Sequence, residues 1–392
     1  MCTTSCKARK SDRPRRRDKI GCEWPSAGRF TEKPPVQEKI EKFISADIHD
    51  DKCSFEKLAL ELFGYQYERV PLYRQFCDAR QASPSSVSEW QQVPALPADA
   101  FKQQLVDHGE EAHVFLSSGT SEGLDKRSRH QLTTLSTYRL SAMTFFNEMV
   151  LPDEPGSMSV LLAGPGVDSH PDSSLGRMFS WVYEETAAAG SEVVFDGDGE
   201  LDTAAALEWL GRVSADNRPV LLLAVSSALT ALLARMRDEK MFCRLPGGSR
   251  VVDTGGRKGA APTYSAAGMR KACWRYLHVP GYMCVNEYGM TEMLSQYYDD
   301  ALVSRHRGRI DHRIKSGPRW CRHVVVSPST LQPVADGEVG LLKHIDLANW
   351  ESVSALQTLD LARRVDDGFQ LVGRASAAQL RGCSQLLTMV EN

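Results

Sequence analysis

Between His113 and Val285 the chain alternates short, continuous apolar runs with stretches of helical periodicity, and this pattern restricts the fold to one class. HVFL (113–116) is followed by a helix-like stretch from about Gln131 to Val150. SVLLA (159–163) precedes SLGRMFSWVYEETAAA (174–189). EVVF (192–195) ends at DGDG and is followed by TAAALEWLGRV (203–213). VLLLAV (220–225) leads into a helix to about Glu239, and RVVD (250–253) into a glycine-rich loop and YSAAGMRKACWRYL (264–277). YMCV (282–285) closes the series. Unbroken β-branched and leucine runs, rather than alternating ones, mean strands buried on both faces. Interleaved with helices they predict an α/β fold with a mainly parallel sheet covered on either side.

The flanks differ. From Pro34 to Lys102 the pattern is helical. Ser54 is placed to cap FEKLALELFGYQ, a short helix follows over Pro71 to Arg80, and VPALPADAFK (93–102) connects to the α/β part. After Arg319, HVVVS, VGLLKHI and FQLVG, joined by turns such as DGEVG and DDG, predict a smaller β-rich subdomain. The expected division is therefore a tail over residues 1–30, an α/β core with its helical segment over 31–320, and the β-rich part over 321–392.

Composition excludes several classes of function. Residues 1–19 hold eight basic and two acidic side chains, the composition of a disordered, solvated tail. A nucleic-acid or membrane-surface role is the alternative for that arm, but a net charge of −3 does not describe a body built to hold nucleic acid. The longest apolar stretch, Pro219 to Ala234, is interrupted by Ser226, Ser227 and Thr230, and is too short and mixed to span a bilayer. The N-terminus lacks the apolar region of a secretory signal. The ten cysteines are scattered, and the spacing of Cys2, Cys6 and Cys22 suits no familiar zinc site. A cytoplasmic location with mostly free, buried thiols is the expectation.

Three polar segments carry candidate chemistry, each near the end of an expected strand, where open α/β sheets bind ligands. The first is Ser117-Ser118-Gly119-Thr120-Ser121-Glu122-Gly123, read as a loop between a strand and a helix. Its glycines let main-chain N–H groups wrap an anion, and its hydroxyls add donors. Lys126, Arg127 and Arg129 follow. It is not a GxxxxGK[ST] loop, and by itself such a cluster marks an ordinary turn. The second is Asn286-Glu287-Tyr288-Gly289-Met290-Thr291-Glu292. Here a tyrosine can stack on a purine, a threonine can hold a phosphate oxygen and a carboxylate can hold Mg²⁺. The third combines Thr358-Leu359-Asp360-Leu361-Ala362 with Gly373-Arg374. A carboxylate there can accept ribose hydroxyls, although a lone Asp360 is more readily structural.

Taken in this order, the segments resemble the nucleotide-site motifs of the adenylate-forming superfamily of acyl-CoA synthetases, adenylation domains and luciferases. SSGT is similar to the phosphate loop, NEYGMTE to YGxTE, TLDLA to TGDL and GR to the arginine at the hinge. FEKLALELFGYQ, VPALPADAFK, SSGT followed by SRH, DSSLGRMF, DTGGRKG and LRGCS resemble more closely the acyl-protein synthetase (fatty acid–luciferin component ligase) family of bacterial bioluminescence. That resemblance implies ATP and Mg²⁺, an apolar carboxylic acid made into an acyl-AMP, and transfer of the acyl group to a cysteine and on to a protein partner such as an acyl reductase or carrier protein. Carried residue by residue, it puts Ser117, Ser118, Gly119 and Thr120 on the β- and γ-phosphates. Gly255 and Gly256 fall near the adenine and substrate carboxylate, and Tyr288 on the adenine. Thr291 meets the α-phosphate, Glu292 the Mg²⁺, and Asp360 the ribose with Arg374 nearby. Cys383 becomes the acyl acceptor, with Arg381 favouring its thiolate; the alternative for Cys383 is an inert buried thiol.

The sequence departs from the superfamily pattern in places. Glu122 stands where the phosphate loop has a second glycine, and Lys126 is out of register for the lysine that follows it. ASAA replaces the hinge carboxylate, and nine residues follow Cys383, which predicts that the mobile C-terminal domain is missing, as in the acyl-protein synthetases. Lys258 and Arg257 are candidates for the cation that domain would supply. Two alternatives follow: a ligase charging CoA or a carrier-protein thiol, and a non-catalytic nucleotide-binding homologue.

Overall fold

The computed structural model describes residues 33–46, 54–117, 127–195, 199–255, 264–309 and 313–375. Three helices lead: α1 (Pro35–Ser45), α2 (Phe55–Arg69) and α3 (Pro71–Asp78). Ser54 caps α2 as expected, its hydroxyl accepting from the Lys57 N–H at 3.3 Å. The inner face of α2 buries Phe55, Leu58, Leu62 and Phe63. Gln66 on the same face donates to the carbonyls of Asn349 (2.8 Å) and Trp350 (3.2 Å) and accepts from the Ser354 N–H (2.9 Å). A helix from the start of the chain thus fixes a loop near its end.

The connector forms β1 (Leu96–Pro97) and a 3₁₀ turn over Ala98–Lys102. Next come β2 (His113–Leu116), β3 (Arg129–Leu132), α4 (Ser136–Val150), β4 (Ser159–Ala163), α5 (Ser174–Thr186), β5 (Glu192–Val193), α6 (Thr203–Val213), β6 (Val220–Val225), α7 (Ser226–Asp238), β7 (Arg250–Thr254) and α8 (Ala266–Ala272). The rest is β8 (Cys284–Tyr288), β9 (Tyr297–Asp299), α9 (Ala301–His306), β10 (Lys315–Ser316), β11 (Cys321–Val326), β12 (Val339–Asp346), β13 (Ala355–Val365) and β14 (Gly368–Arg374).

The main sheet runs β11-β12-β13-β14-β10-β9-β8-β7-β6-β4-β5, with β1 added parallel to β13. Strands β5, β4, β6, β7 and β8 are parallel, as their unbroken apolar runs predict. Val160, Leu162, Leu221 and Leu223 point into one core, and Leu161, Ala163, Leu222 and Ala224 into a second on the opposite face. Each buried leucine contributes about 1.5–3 kcal/mol, so two covered faces account for the lack of polar alternation in VLLLAV. From β8 onward the strands are antiparallel, and residues 321–374 join the same sheet through the β14–β10 pairing at Phe369 and Lys315.

Two expectations change. The segment after HVFL is not helical from Gln131: Arg129–Leu132 pairs antiparallel with His113–Leu116, Leu116 opposite Arg129, and the helix starts at Ser136. Ser117 thus follows the first strand of this hairpin, and the rest of the Ser117–Gly123 segment lies outside the described residues. The strand expected at 282–285 starts at Cys284 and continues through Tyr288, because Gly281–Met283 is a 3₁₀ turn. The first residues of NEYGMTE are thus strand. The described cysteines, Cys77, Cys243, Cys273, Cys284 and Cys321, are all buried and free. Among the described residues no helix is long and apolar enough to cross a membrane. The basic tail lies outside the described residues.

Candidate active site

Strands β7 and β8 lie side by side and end together, Asp253 beside Asn286 and Thr254 beside Glu287. Beyond β7, Gly255 has φ +94°, backbone that a side chain would strain. The Ser226 hydroxyl, at the start of α7, donates to Oδ2 of Asp253 at 2.7 Å and lies 3.1 Å from the Gly255 carbonyl. Asp253 also accepts from Asn286 Nδ2 at 3.0 Å, and Asn286 Oδ1 accepts from Lys315 Nζ at 2.7 Å. Lys315 pairs with Asp299 at 3.1 Å, as Arg313 does at 2.6 Å. Gly255 therefore rests on a polar array that joins the first residues of DTGGRKG and NEYGMTE, Asp253 and Asn286, to Ser226 and Lys315.

At the end of β8, Tyr288 is half-buried, its ring tilted against Tyr297 and edge-on to Phe369. Its hydroxyl donates to Oδ2 of Asp360 on β13 at 2.9 Å. Burial first, and the Asp360 carboxylate second, hold the Tyr288 phenol well above its ordinary pKa. Asp360 is opposite Arg374 in the β13–β14 ladder, and its N–H donates to the Thr358 hydroxyl at 3.1 Å. Gly289 leaves no room for a side chain, because a Cβ there would meet the Glu287 carboxylate. Glu287 accepts from the Thr254 hydroxyl. Its pKa is pushed up to about 7, by burial above all, while Thr254 and Lys315 oppose the rise.

Glu292 is buried, which raises its pKa. The Ser128 hydroxyl, its own backbone and, through space, the charge of Arg374 pull the other way. Ser128 closes the β2–β3 hairpin: its N–H donates to Oγ of Ser117 at 2.9 Å, and its carbonyl accepts from the Ser117 N–H at 3.0 Å. His130, two residues on, bonds through Nδ1 to the carbonyl of Thr291 at 2.8 Å. Tyr288, Thr291, Glu292, Asp360 and Arg374 thus occupy one neighbourhood, with Ser117 at its rim and Gly255 beyond the adjoining strand. Ser118, Gly119, Thr120, Gly256 and Cys383 lie outside the described residues, as do Lys126, Arg257 and Lys258. Ser128 and His130, within SRH, and Asp253, within DTGGRKG, stand in quoted motifs without an assigned role, and Lys315 stands in none. A buried lysine in a charged stretch carries no local signal.

A model of the acyl-protein synthetase LuxE family matches residues 44–390. The chain belongs to this family. The long-chain-fatty-acid–luciferin-component ligase of Aliivibrio fischeri is 21% identical over 313 residues, 78% of each chain. Among solved structures, 2-hydroxyisobutyryl-CoA ligase in complex with 2-HIB-AMP and CoA superposes with a TM-score of 0.58 at 14% identity, over 81% of this chain and 69% of that one. The same ligase in its thioesterification state gives 0.57 at 16% identity, over 82% and 68%. The fold is therefore that of adenylate-forming ligases, as the motif order implies. Membership of the LuxE family makes the chain a ligase of the adenylate-forming type, and supports activation of a carboxylic acid through an acyl-adenylate.

Glu292 suits a divalent cation such as Mg²⁺. It is a buried carboxylate held by the Ser128 hydroxyl and its own backbone, with the charge of Arg374 acting through space, and a cation beside it would offset the cost of burial further. Mg²⁺ commonly takes one or two protein carboxylates and completes its shell with water and substrate phosphates.

Proposed function

We propose that the chain binds ATP, activates an apolar carboxylic acid as acyl-AMP and passes the acyl group to a protein cysteine, Cys383. Carboxylate oxygen attacks the α-phosphorus, the bond to the β-phosphate breaks and pyrophosphate leaves. A thiolate then attacks the acyl carbon and AMP departs. The first step needs charge neutralisation and in-line alignment more than acid–base help. Ser117, Ser118, Gly119 and Thr120 are assigned to the β- and γ-phosphates and Thr291 to the α-phosphate. Gly255 and Gly256 are assigned to the adenine and carboxylate side, Tyr288 to the adenine, and Asp360 with Arg374 to the ribose. Glu292 would hold Mg²⁺, which would offset phosphate charge.

One observation carries this reading: the Tyr288–Asp360 hydrogen bond, with Arg374 opposite Asp360 and its charge felt at Glu292. Segments far apart in sequence are thereby gathered around one point. A ribose would share Asp360 with the tyrosine, Oδ2 already accepting from Tyr288 and Oδ1 remaining for a hydroxyl.

The test is acid-dependent ATP–pyrophosphate exchange over a panel of short, aromatic and long-chain acids. Exchange lost in Glu292→Ala and Asp360→Ala supports the first half-reaction, and no exchange with any acid overturns it. A thioester found on Cys383 by mass spectrometry supports the second. Acyl transfer that survives Cys383→Ala overturns it in favour of an external thiol.

A further inference from the structure

His130 is almost completely buried, with 1% of its surface exposed. Its Nδ1 faces the Thr291 carbonyl at 2.8 Å. A carbonyl oxygen only accepts, so Nδ1 carries the proton and Nε2 is left to the Ser352 hydroxyl at 3.0 Å. That hydroxyl has one hydrogen, and Oδ1 of Asn349, 2.8 Å away, also only accepts, so Ser352 donates to one of these two acceptors at a time and touches the other. Asn349 in turn donates through Nδ2 to the carbonyl of Glu292 at 2.9 Å and to that of Val353 at 2.8 Å. A chain of three touching side chains, His130–Ser352–Asn349, thus grips two consecutive main-chain carbonyls, those of Thr291 and Glu292.

Both ends of this chain are anchored. His130 belongs to β3, the return strand of the hairpin whose base joins Ser117 to Ser128. Asn349 and Ser352 belong to the loop that Gln66 of α2 holds by its main chain. Phe101 packs edge-on against the imidazole, ring centroids 5.6 Å apart. Burying a polar trio costs free energy unless every partner is placed, and an apolar residue would fill the same space more cheaply. The polar partners here are spent on the backbone of the two residues assigned to the α-phosphate and Mg²⁺.

We propose that His130, through Ser352 and Asn349, is a positioning residue that sets the Thr291–Glu292 main chain against the phosphate-loop hairpin, so that triphosphate and metal carboxylate meet in one fixed geometry. This rests on the nucleotide-site reading above and extends it to residues that touch neither nucleotide nor metal. Supporting groups of this kind change activity about 10–100-fold when removed.

The variants are His130→Leu, which fills the space without hydrogen bonds, and His130→Asn, whose amide can restore a donor to Thr291. Ser352→Ala breaks the chain at its middle and keeps its volume. Each is assayed by ATP–pyrophosphate exchange with the acid the wild type accepts best, with a melting curve for folding. In folded His130→Leu, kcat is expected to fall about 10–100-fold while KM for the acid moves less than about threefold, and His130→Asn to recover most of the loss. Should His130→Leu fail to fold, Ser352→Ala is expected to lower kcat with the same unchanged KM. A folded His130→Leu or Ser352→Ala with kcat within about twofold of wild type overturns the positioning role alone, as does His130→Asn no better than Leu. A wild type without exchange on any acid overturns the nucleotide-site reading and the positioning role with it.

Discussion

The hydroxyl of Tyr288 donates to Oδ2 of Asp360 at 2.9 Å, joining positions 72 residues apart in sequence. The bond ties the end of the last parallel strand to the antiparallel strands that follow, at the place where the sheet changes direction. Tyr288→Phe removes the donor and leaves a half-buried carboxylate oxygen unpaired. It is expected to cost about 1–3 kcal/mol of stability and to raise KM for ATP more than it lowers kcat. Denaturant unfolding and exchange kinetics at varied ATP check both.

Gly289→Ala tests the crowding beside that tyrosine. The added methyl would meet the Glu287 carboxylate, which is buried and bonded to Thr254, so either the carboxylate leaves its partner or the Tyr288–Met290 turn shifts. Overpacking of this kind costs about 1–3 kcal/mol. The expected result is a less stable protein with weakened ATP binding. Gly289→Ala paired with Glu287→Gln should not recover the loss if the turn, rather than the charge, is what moves.

Glu292→Gln separates activity from stability. Burial makes the Glu292 carboxylate costly in the free protein, so an amide of the same size that keeps its contact with Ser128 is expected to leave the melting temperature unchanged or higher. In the proposed reaction the same change removes the metal-binding charge, and kcat for exchange should fall by about 100-fold or more. Stability gained together with activity lost is the signature of a group placed for function. A parallel drop in both would mark Glu292 as structural.

Much of this could be read from the sequence where burial is two-sided. SVLLA, VLLLAV and RVVD announce β4, β6 and β7 because every position but the last of VLLLAV and of RVVD is buried. The same logic fails for β3, where Arg129, His130 and Gln131 look like the polar start of a helix. Their strand identity comes from pairing with HVFL and from the partners His130 finds on Thr291 and Ser352. Strands β9 and β10 are three and two residues long and carry Asp299 and Lys315, whose pairing exists only once the sheet is assembled. The motifs around Tyr288, Glu292 and Asp360 were legible because their residue types are themselves the chemistry. The side chains that hold them, Ser128, His130, Asn349 and Ser352, act through main-chain carbonyls and short polar links, which leave little trace in a linear pattern.

Glu287 gives the last prediction, in pH. Its pKa in the folded chain is raised to about 7, above the 4.5 of an exposed glutamate, mainly because burial disfavours the charged form. Between those two values the folded protein binds more protons than the unfolded chain. Stability must therefore fall as pH rises through that window, by about 1.4 kcal/mol for each unit of pKa difference. Glu287→Gln removes the titration while keeping a partner for the Thr254 hydroxyl. The melting temperature of the wild type is expected to decline from pH 5 to pH 7.5 more steeply than that of Glu287→Gln, with the variant the more stable at the upper end. Thermal unfolding in a buffer series of constant ionic strength decides it, and parallel curves for the two proteins would show that Glu287 stays ionised in the fold.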